Sequence, residues 1–380
     1  MHKSLRTIKA DAAFRSFESL GSDITWAVIG SGIDEGHPHF AEHRNLLDHD
    51  LHRDFMPDTD EPLIDADGRT THYAGIIAGE LVPDAPRKSV AIYEETWDKS
   101  LKNKRIQEFD GDALPRLAAV APASKIVSLK VRSDFSGGVN VPRVVKALDY
   151  IAKRNAGSRD LKIHGVLIAV TLSSPDERRP WGTGSSPLCM AVDELVSKGV
   201  VVVTPAGDNG FARLDAERES AYSEMTRTHL SIGLFMTIND PGSAACAITV
   251  GSTFRDSPHR YGVAPWSSKG PTADGRVKPD LVAPGQGVVS CGTASLLRTT
   301  LKDLPGEPPG GNVYIPHWGT TVAAAHVAGV AAAFLSIHRE FIGRPLEVKR
   351  ILRDSAVSLD RKEEFQGRGL VDLMRALQSV

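Results

Sequence analysis

Five short runs of almost uninterrupted apolar residues, many of them β-branched, constrain this chain more than any other feature. They are Trp26-Ala-Val-Ile29, Lys125-Ile-Val-Ser-Leu-Lys-Val131, Gly165-Val-Leu-Ile-Ala-Val170, Val200-Val-Val-Val-Thr204 and Ala247-Ile-Thr-Val250. Runs of this length and type read as strands, and a strand that is apolar on both faces must be covered on both faces. The stretches between them supply the cover. Val141 to Arg154 carries Val144, Val145, Leu148, Ile151 and Ala152, and Leu188 to Lys198 carries Leu188, Ala191, Val192, Leu195 and Val196. Both sets have helical spacing. The fold class expected is α/β, a doubly wound, mainly parallel sheet with helices on both faces. A short N-terminal extension, 1–22, precedes one domain over 23–380, and a charge-rich stretch of both signs at 81–116 reads as a surface insertion.

Charge narrows the function classes. Lys and Arg number 45 against 47 Asp and Glu, a formal net charge of −2. That balance lacks the basic excess of a nucleic-acid-binding domain. No apolar run is read as reaching the roughly 18 residues of a bilayer span, so no membrane partner is expected. The first residues, Met1-His-Lys-Ser-Leu-Arg, lack the apolar stretch of a secretory signal. Cys189, Cys246 and Cys291 are far apart and odd in number; they read as buried thiols in a reducing compartment, so a cytoplasmic location is expected.

Four further segments carry a specific resemblance. They are Ala27-Val-Ile-Gly-Ser-Gly-Ile-Asp-Glu-Gly-His-Pro-His-Phe40, Arg69-Thr-Thr-His-Tyr-Ala-Gly75, the long Trp266–Gly285 stretch with Lys278-Pro-Asp-Leu-Val-Ala-Pro-Gly285, and Gly319-Thr-Thr-Val-Ala-Ala-Ala-His-Val-Ala-Gly329. In order and spacing the chain resembles the subtilisin-like serine proteases from about Asp23 to Leu377. The resemblance implies the subtilisin-like fold and a Ser-His-Asp hydrolase, with an asparagine side chain helping to bind the oxyanion. Carried over residue by residue, however, all four catalytic positions differ. The aspartate position reads Gly30, with Asp34 as the family's second, non-catalytic acid. The histidine position reads Arg69, which cannot accept a proton; His72 is the family's second histidine and reads as a packed helix residue. The serine position reads Thr321, with no adjacent base evident. The asparagine position reads Asp208, whose charge would repel an oxyanion.

The expectation is therefore a subtilisin-like pseudoprotease that binds a peptide or protein partner, with an active protease paralogue among the candidates. A divergent endopeptidase using Thr321 with His72 or His317 is the alternative, and a structural subunit using the 81–116 insertion is a third. Arg69 and Asp208 are expected to pair across the altered site, because a partly buried arginine needs a counter-charge. Thr171, Leu172, Ser173 and Ser174 stand where the family pairs with substrate backbone, a mode that needs no catalytic side chain; the loop 175–180 could instead cover that edge. No cofactor and no metal site is expected from the residues. His37, His39 and His43 read as structural, and the resemblance leaves calcium open without a ligand set.

Overall fold

In a computed structural model, the described residues are 2–46, 49–82, 90–98, 101–109, 117–134, 138–157, 160–172, 182–215, 229–300 and 312–380. Seven strands form the central sheet: β1 (Thr25–Gly30), β2 (Arg53–Asp54), β3 (Lys125–Lys130), β4 (Gly165–Ile168), β5 (Val201–Pro205), β6 (Ile248–Phe254) and β7 (Leu281–Gln286). Their order is β7-β6-β5-β4-β1-β3-β2, and every neighbouring pair is parallel. All five apolar runs lie in it.

The alternation of side chains along a strand divides these runs between two cores. Trp26, Val28, Val201 and Val203 enter one, while Ala27, Ile29, Val200 and Val202 enter the other. The second core is closed by α4 (Val141–Asn155) and α5 (Pro187–Ser197), both foreseen from their spacing. Asn140 and Ser186 start these helices by accepting the amide hydrogens of Arg143 and Cys189, and each has a proline in its first turn.

The first core is larger. It is crossed by α6 (Thr320–Ile337), whose Ala323–Ala325 and Ala331–Ala333 stretches let the helix lie close to the sheet. Gly329 is required at one such approach, since a Cβ there would stand 2.6 Å from the Val120 Cβ. The expectation of no apolar run of membrane-spanning length is corrected here. This helix has 18 residues and a mean hydropathy of 1.7, but 83% of it is buried, so its composition is that of a core helix. The same core takes in α1 (His2–Thr7), α2 (Ala10–Phe17), α3 (Arg69–Ile77), α7 (Pro345–Asp354) and α8 (Leu373–Gln378).

The 1–22 stretch is built into the domain. Ile8 is fully buried, its carbonyl accepts the Leu373 amide hydrogen at 3.0 Å, and the Thr7 hydroxyl donates to Arg255 O at 2.7 Å. Within the charged insertion, Val90–Asp98 and Leu101–Phe109 form an antiparallel hairpin in register from Val90↔Phe109 to Asp98↔Leu101. The hairpin extends a smaller sheet through parallel pairing with Asn312–His317, the strand that leads into α6.

Candidate functional site

Four pieces of chain place the four candidate residues: the end of β1, the start of α3, the segment after β5 and the start of α6. At the end of β1, the space an aspartate side chain would need is filled. A Cβ on Gly30 would lie 2.1 Å from Thr70 Oγ1. That hydroxyl accepts the Ser31 amide hydrogen at 2.8 Å and lies 2.9 Å from Ser31 Oγ, which donates to Asp65 Oδ1 at 2.8 Å. Thr70 thus occupies the space that a larger residue at 30 would need.

Asp65 organises the start of α3 and was not singled out in the sequence. Its carboxylate is buried and accepts from Gly68 N–H (2.8 Å), Thr71 N–H (2.8 Å), Thr71 Oγ1–H (2.7 Å) and the Ser31 hydroxyl. Burial pushes its pKa up and these donors pull it back. Two of the donors are amide hydrogens at the helix start, which have no partner within the helix. The only sequence clue was an acid four residues ahead of Arg69. Asp34, by contrast, does what was expected of a non-catalytic acid: its Oδ1 accepts the Gly36 amide hydrogen at 3.0 Å and closes a local turn.

Arg69 is half-buried at the first position of α3, with Nε 3.3 Å from Asp67 Oδ1. Asp208 does something else. Its Oδ1 accepts the Thr320 amide hydrogen at 2.9 Å, at the N-terminus of α6. The surrounding protein pushes the Asp208 carboxyl upward, and its bonds to Thr320 pull it down. The Arg69–Asp208 ion pair expected from the sequence is therefore corrected. Arginine takes the nearer carboxylate two residues before it, and Asp208 takes a helix terminus whose dipole favours an anion.

Thr321 is half-buried at the second position of α6. Among the described residues, no hydrogen bond joins its hydroxyl to a histidine. His72 is wholly buried on α3, and its Nε2–H is shared between Val288 O (3.2 Å) and Ile315 O (3.1 Å). Burial holds this imidazole neutral, well below its usual pKa. His317 packs against His72 and Tyr73 at centroid distances of 5.4 and 6.2 Å. Burial and the Arg69 charge lower its pKa to about 3. Both histidines belong to the packing between α3 and the Asn312–His317 strand.

The other candidates resolve separately. His39 donates from Nε2 to Gly75 O and accepts the Tyr314 hydroxyl at Nδ1, each at 3.0 Å; His37 donates to Val313 O at 3.2 Å, and His43 meets Glu80 at 3.0 Å. Three imidazoles with three sets of partners do not converge on an ion. Among the described residues, no three His, Cys, Asp or Glu side chains are placed to hold a metal.

Of the expected peptide-facing residues, Thr171 and Leu172 are described, whereas Ser173, Ser174 and the 175–180 loop lie outside the described residues. Leu172 N–H donates to Asp240 O at 2.8 Å in an antiparallel bridge. Beside it opens a cavity of about 220 Å³ lined by Leu172, Asn209, Met236, Ile238 and Asn239, with Gly182 and Thr237 completing the wall. Asn209 Nδ2 donates to Asn239 Oδ1 at 3.1 Å. Met236 and its neighbour Phe235 are exposed large apolar residues.

Comparison with known proteins fits this geometry. Residues 21–370 match the sequence profile of the Subtilase family (Peptidase_S8). Subtilisin of Bacillus pumilus is 26% identical over 371 residues, covering 98% of this chain and 96% of that protein. Pyrolysin of Pyrococcus furiosus is 26% identical over 349 residues, covering 82% of this chain but only 21% of its own length. Among solved structures, fervidolysin from Fervidobacterium pennivorans, a keratinolytic enzyme related to subtilisin, superposes with a TM-score of 0.63 at 21% identity. That match covers 99% of this chain and 45% of fervidolysin.

Proposed function

The chain belongs to the subtilase family, and from that premise we propose that it is a pseudoprotease: a peptide- or protein-binding module on a hydrolase fold. The observation that carries this reading is the Asp208 carboxylate on the Thr320 amide at the start of α6. Acyl transfer on this fold needs donors free to receive a developing oxyanion. Here a carboxylate, held by the Thr320 amide next to Thr321, sits where the family places a neutral donor. Nucleophilic attack by Thr321 would also need a proton acceptor in hydrogen-bond reach. Arg69 is permanently protonated, and His72 and His317 are committed to packing.

The binding half of the reading rests on the cavity beside Leu172 and on the apolar rim of Met236 and Phe235. An extended peptide could add its backbone along this edge and drop one side chain into the cavity. An active protease paralogue is a candidate partner, because it would recognise or present such a segment. Unpaired Cys189, Cys246 and Cys291 suit a reducing, cytoplasmic setting.

The test has two arms. Folded protein is incubated with a fluorophosphonate probe and, separately, with a denatured protein substrate, with Thr321→Ala as the control. Neither adduct nor cleavage is expected. An adduct mapped to Thr321, with cleavage lost in the control, would establish a threonine-using endopeptidase and end the pseudoprotease reading. In the second arm, a randomised displayed-peptide library is selected against wild type and Leu172→Trp. Enriched peptides should bind the wild type and lose most of that affinity when the cavity is filled.

A further inference from the structure

The family resemblance raises calcium, and calcium takes carbonyl, hydroxyl and carboxylate oxygens. Among the described residues, a cluster with that donor set is formed by Ala245 O, Ala247 O, Thr249 Oγ1 and both oxygens of Asp280. The cluster does not fit a metal, because two lysines already fill it. Lys278 Nζ lies 3.0 Å from Ala247 O, 2.7 Å from Thr249 Oγ1 and 2.7 Å from Asp280 Oδ2. Lys349 Nζ lies 2.8 Å from Ala245 O, 2.7 Å from Ala247 O and 3.2 Å from Asp280 Oδ1.

The count of acceptors fixes the protonation state. Thr249 Oγ1 gives its own hydrogen to Gly242 O at 2.7 Å, so toward Lys278 it can only accept. Each lysine nitrogen therefore faces three acceptors. An ammonium has three N–H groups for them, whereas a neutral amine would turn its lone pair on one. Burial and the neighbouring Lys349 lower the Lys278 pKa to about 7, and the Asp280 carboxylate offsets only part of that loss. Arg353 Nε adds a third cationic group 3.7 Å from Asp280 Oδ1. A divalent ion brought here would meet three cationic groups already placed around Asp280.

The device recurs around the cleft. Lys130 Nζ donates to Glu61 O (3.1 Å) and Ile64 O (3.0 Å), holding the loop that leads into Asp65. Lys269 Nζ donates to Gly210 O (2.8 Å) and Pro265 O (2.9 Å), two residues beyond Asp208. We propose that lysine ammonium groups act as this chain's own tethered cations, with the Lys278–Lys349–Asp280 cluster as the principal one. As part of the same proposal, the stability of the fold does not depend on calcium. This inference is independent of the pseudoprotease reading.

Thermal denaturation tests it. Wild type stripped with a chelator and wild type in excess calcium chloride should melt at the same temperature. Lys278→Met and Lys349→Met should each lower the Tm by about 5 °C or more, because each removes three buried hydrogen-bond or ion-pair contacts from the cluster and half of its lysine charge. Lys278→Ala should regain part of the loss in methylammonium chloride. A wild-type Tm that falls on chelation and returns with calcium would overturn the proposal, as would a Lys278→Met variant as stable as wild type. If that variant does not fold, the side-chain spectrum of wild type labelled with [15N]lysine decides. Slowly exchanging ammonium resonances support the proposal; their absence at neutral pH refutes it.

Discussion

At the scale of single residues, the altered site is a set of compensated exchanges. Gly30 is compensated by Thr70, whose hydroxyl stands where a Cβ would be. Restoring the acid by Gly30→Asp alone should therefore cost about 1–3 kcal/mol through overpacking. Combining it with Thr70→Gly should return much of that loss, and a double-mutant cycle by urea denaturation would show coupling well above the few tenths expected of independent sites. Additive effects would mean that the two side chains do not compete for the same space. Asp65 stands at the other extreme, with four donors on one buried carboxylate. Asp65→Ala should cost about 3 kcal/mol or more, since it strands helix-terminal amides and two hydroxyls. Gly30, Arg69, Thr321 and Asp208 could be singled out in the sequence because they fall inside motifs. Asp65 was not, because nothing in its neighbours announces that the chain folds back to bring Ser31 against it.

At the scale of elements, the cleft depends on helices whose own stability comes from tertiary contact. The α6 helix is apolar on every side, so its amphipathic pattern could not be read; burial on all faces replaces it. The N-terminal helices show the same dependence. Their sequence gives little reason to assign them to the domain, yet Ile8 is fully buried against the first core and Leu373 is bonded to its carbonyl. Ile8→Ala should lower stability by about 2–5 kcal/mol, the usual range for emptying a buried aliphatic site. Chemical denaturation measures it, and a loss of only a few tenths would show the extension to be a surface appendage. The charged insertion was legible as an excursion but not as a hairpin. Its strands are defined by pairing with each other and with Asn312–His317, a partner some 200 residues away.

At the scale of the whole molecule, buried imidazoles tie stability to pH. His39 and His317 are lowered to about 3, His326 to about 4 and His72 well below its usual value, each chiefly by burial. Between those folded values and the unfolded value of 6.5, the unfolded chain binds more protons, so stability falls as pH drops below 6.5. Each such group contributes about 1.4 kcal/mol per pH unit within its window. Asp65 and Asp208, both pushed upward, act in the opposite sense as pH rises above 3.8, and two carboxylates do not offset four imidazoles. The Tm should therefore drop steeply from pH 6.5 to pH 5, with net proton uptake on unfolding in calorimetry; a constant Tm over that interval would show that the histidines are not held neutral by burial. What the amino-acid sequence determined by itself was the parallel sheet and its two-sided cover, from apolar runs of strand length, and membership of the subtilase family, from motifs of fixed spacing. Those signals are local, and a single strand or motif expresses them. The partners of Asp208, Lys130 and Lys349 were decided only in the tertiary structure. A charge selects among acceptors by distance and burial, and these are set by elements that lie far apart along the chain.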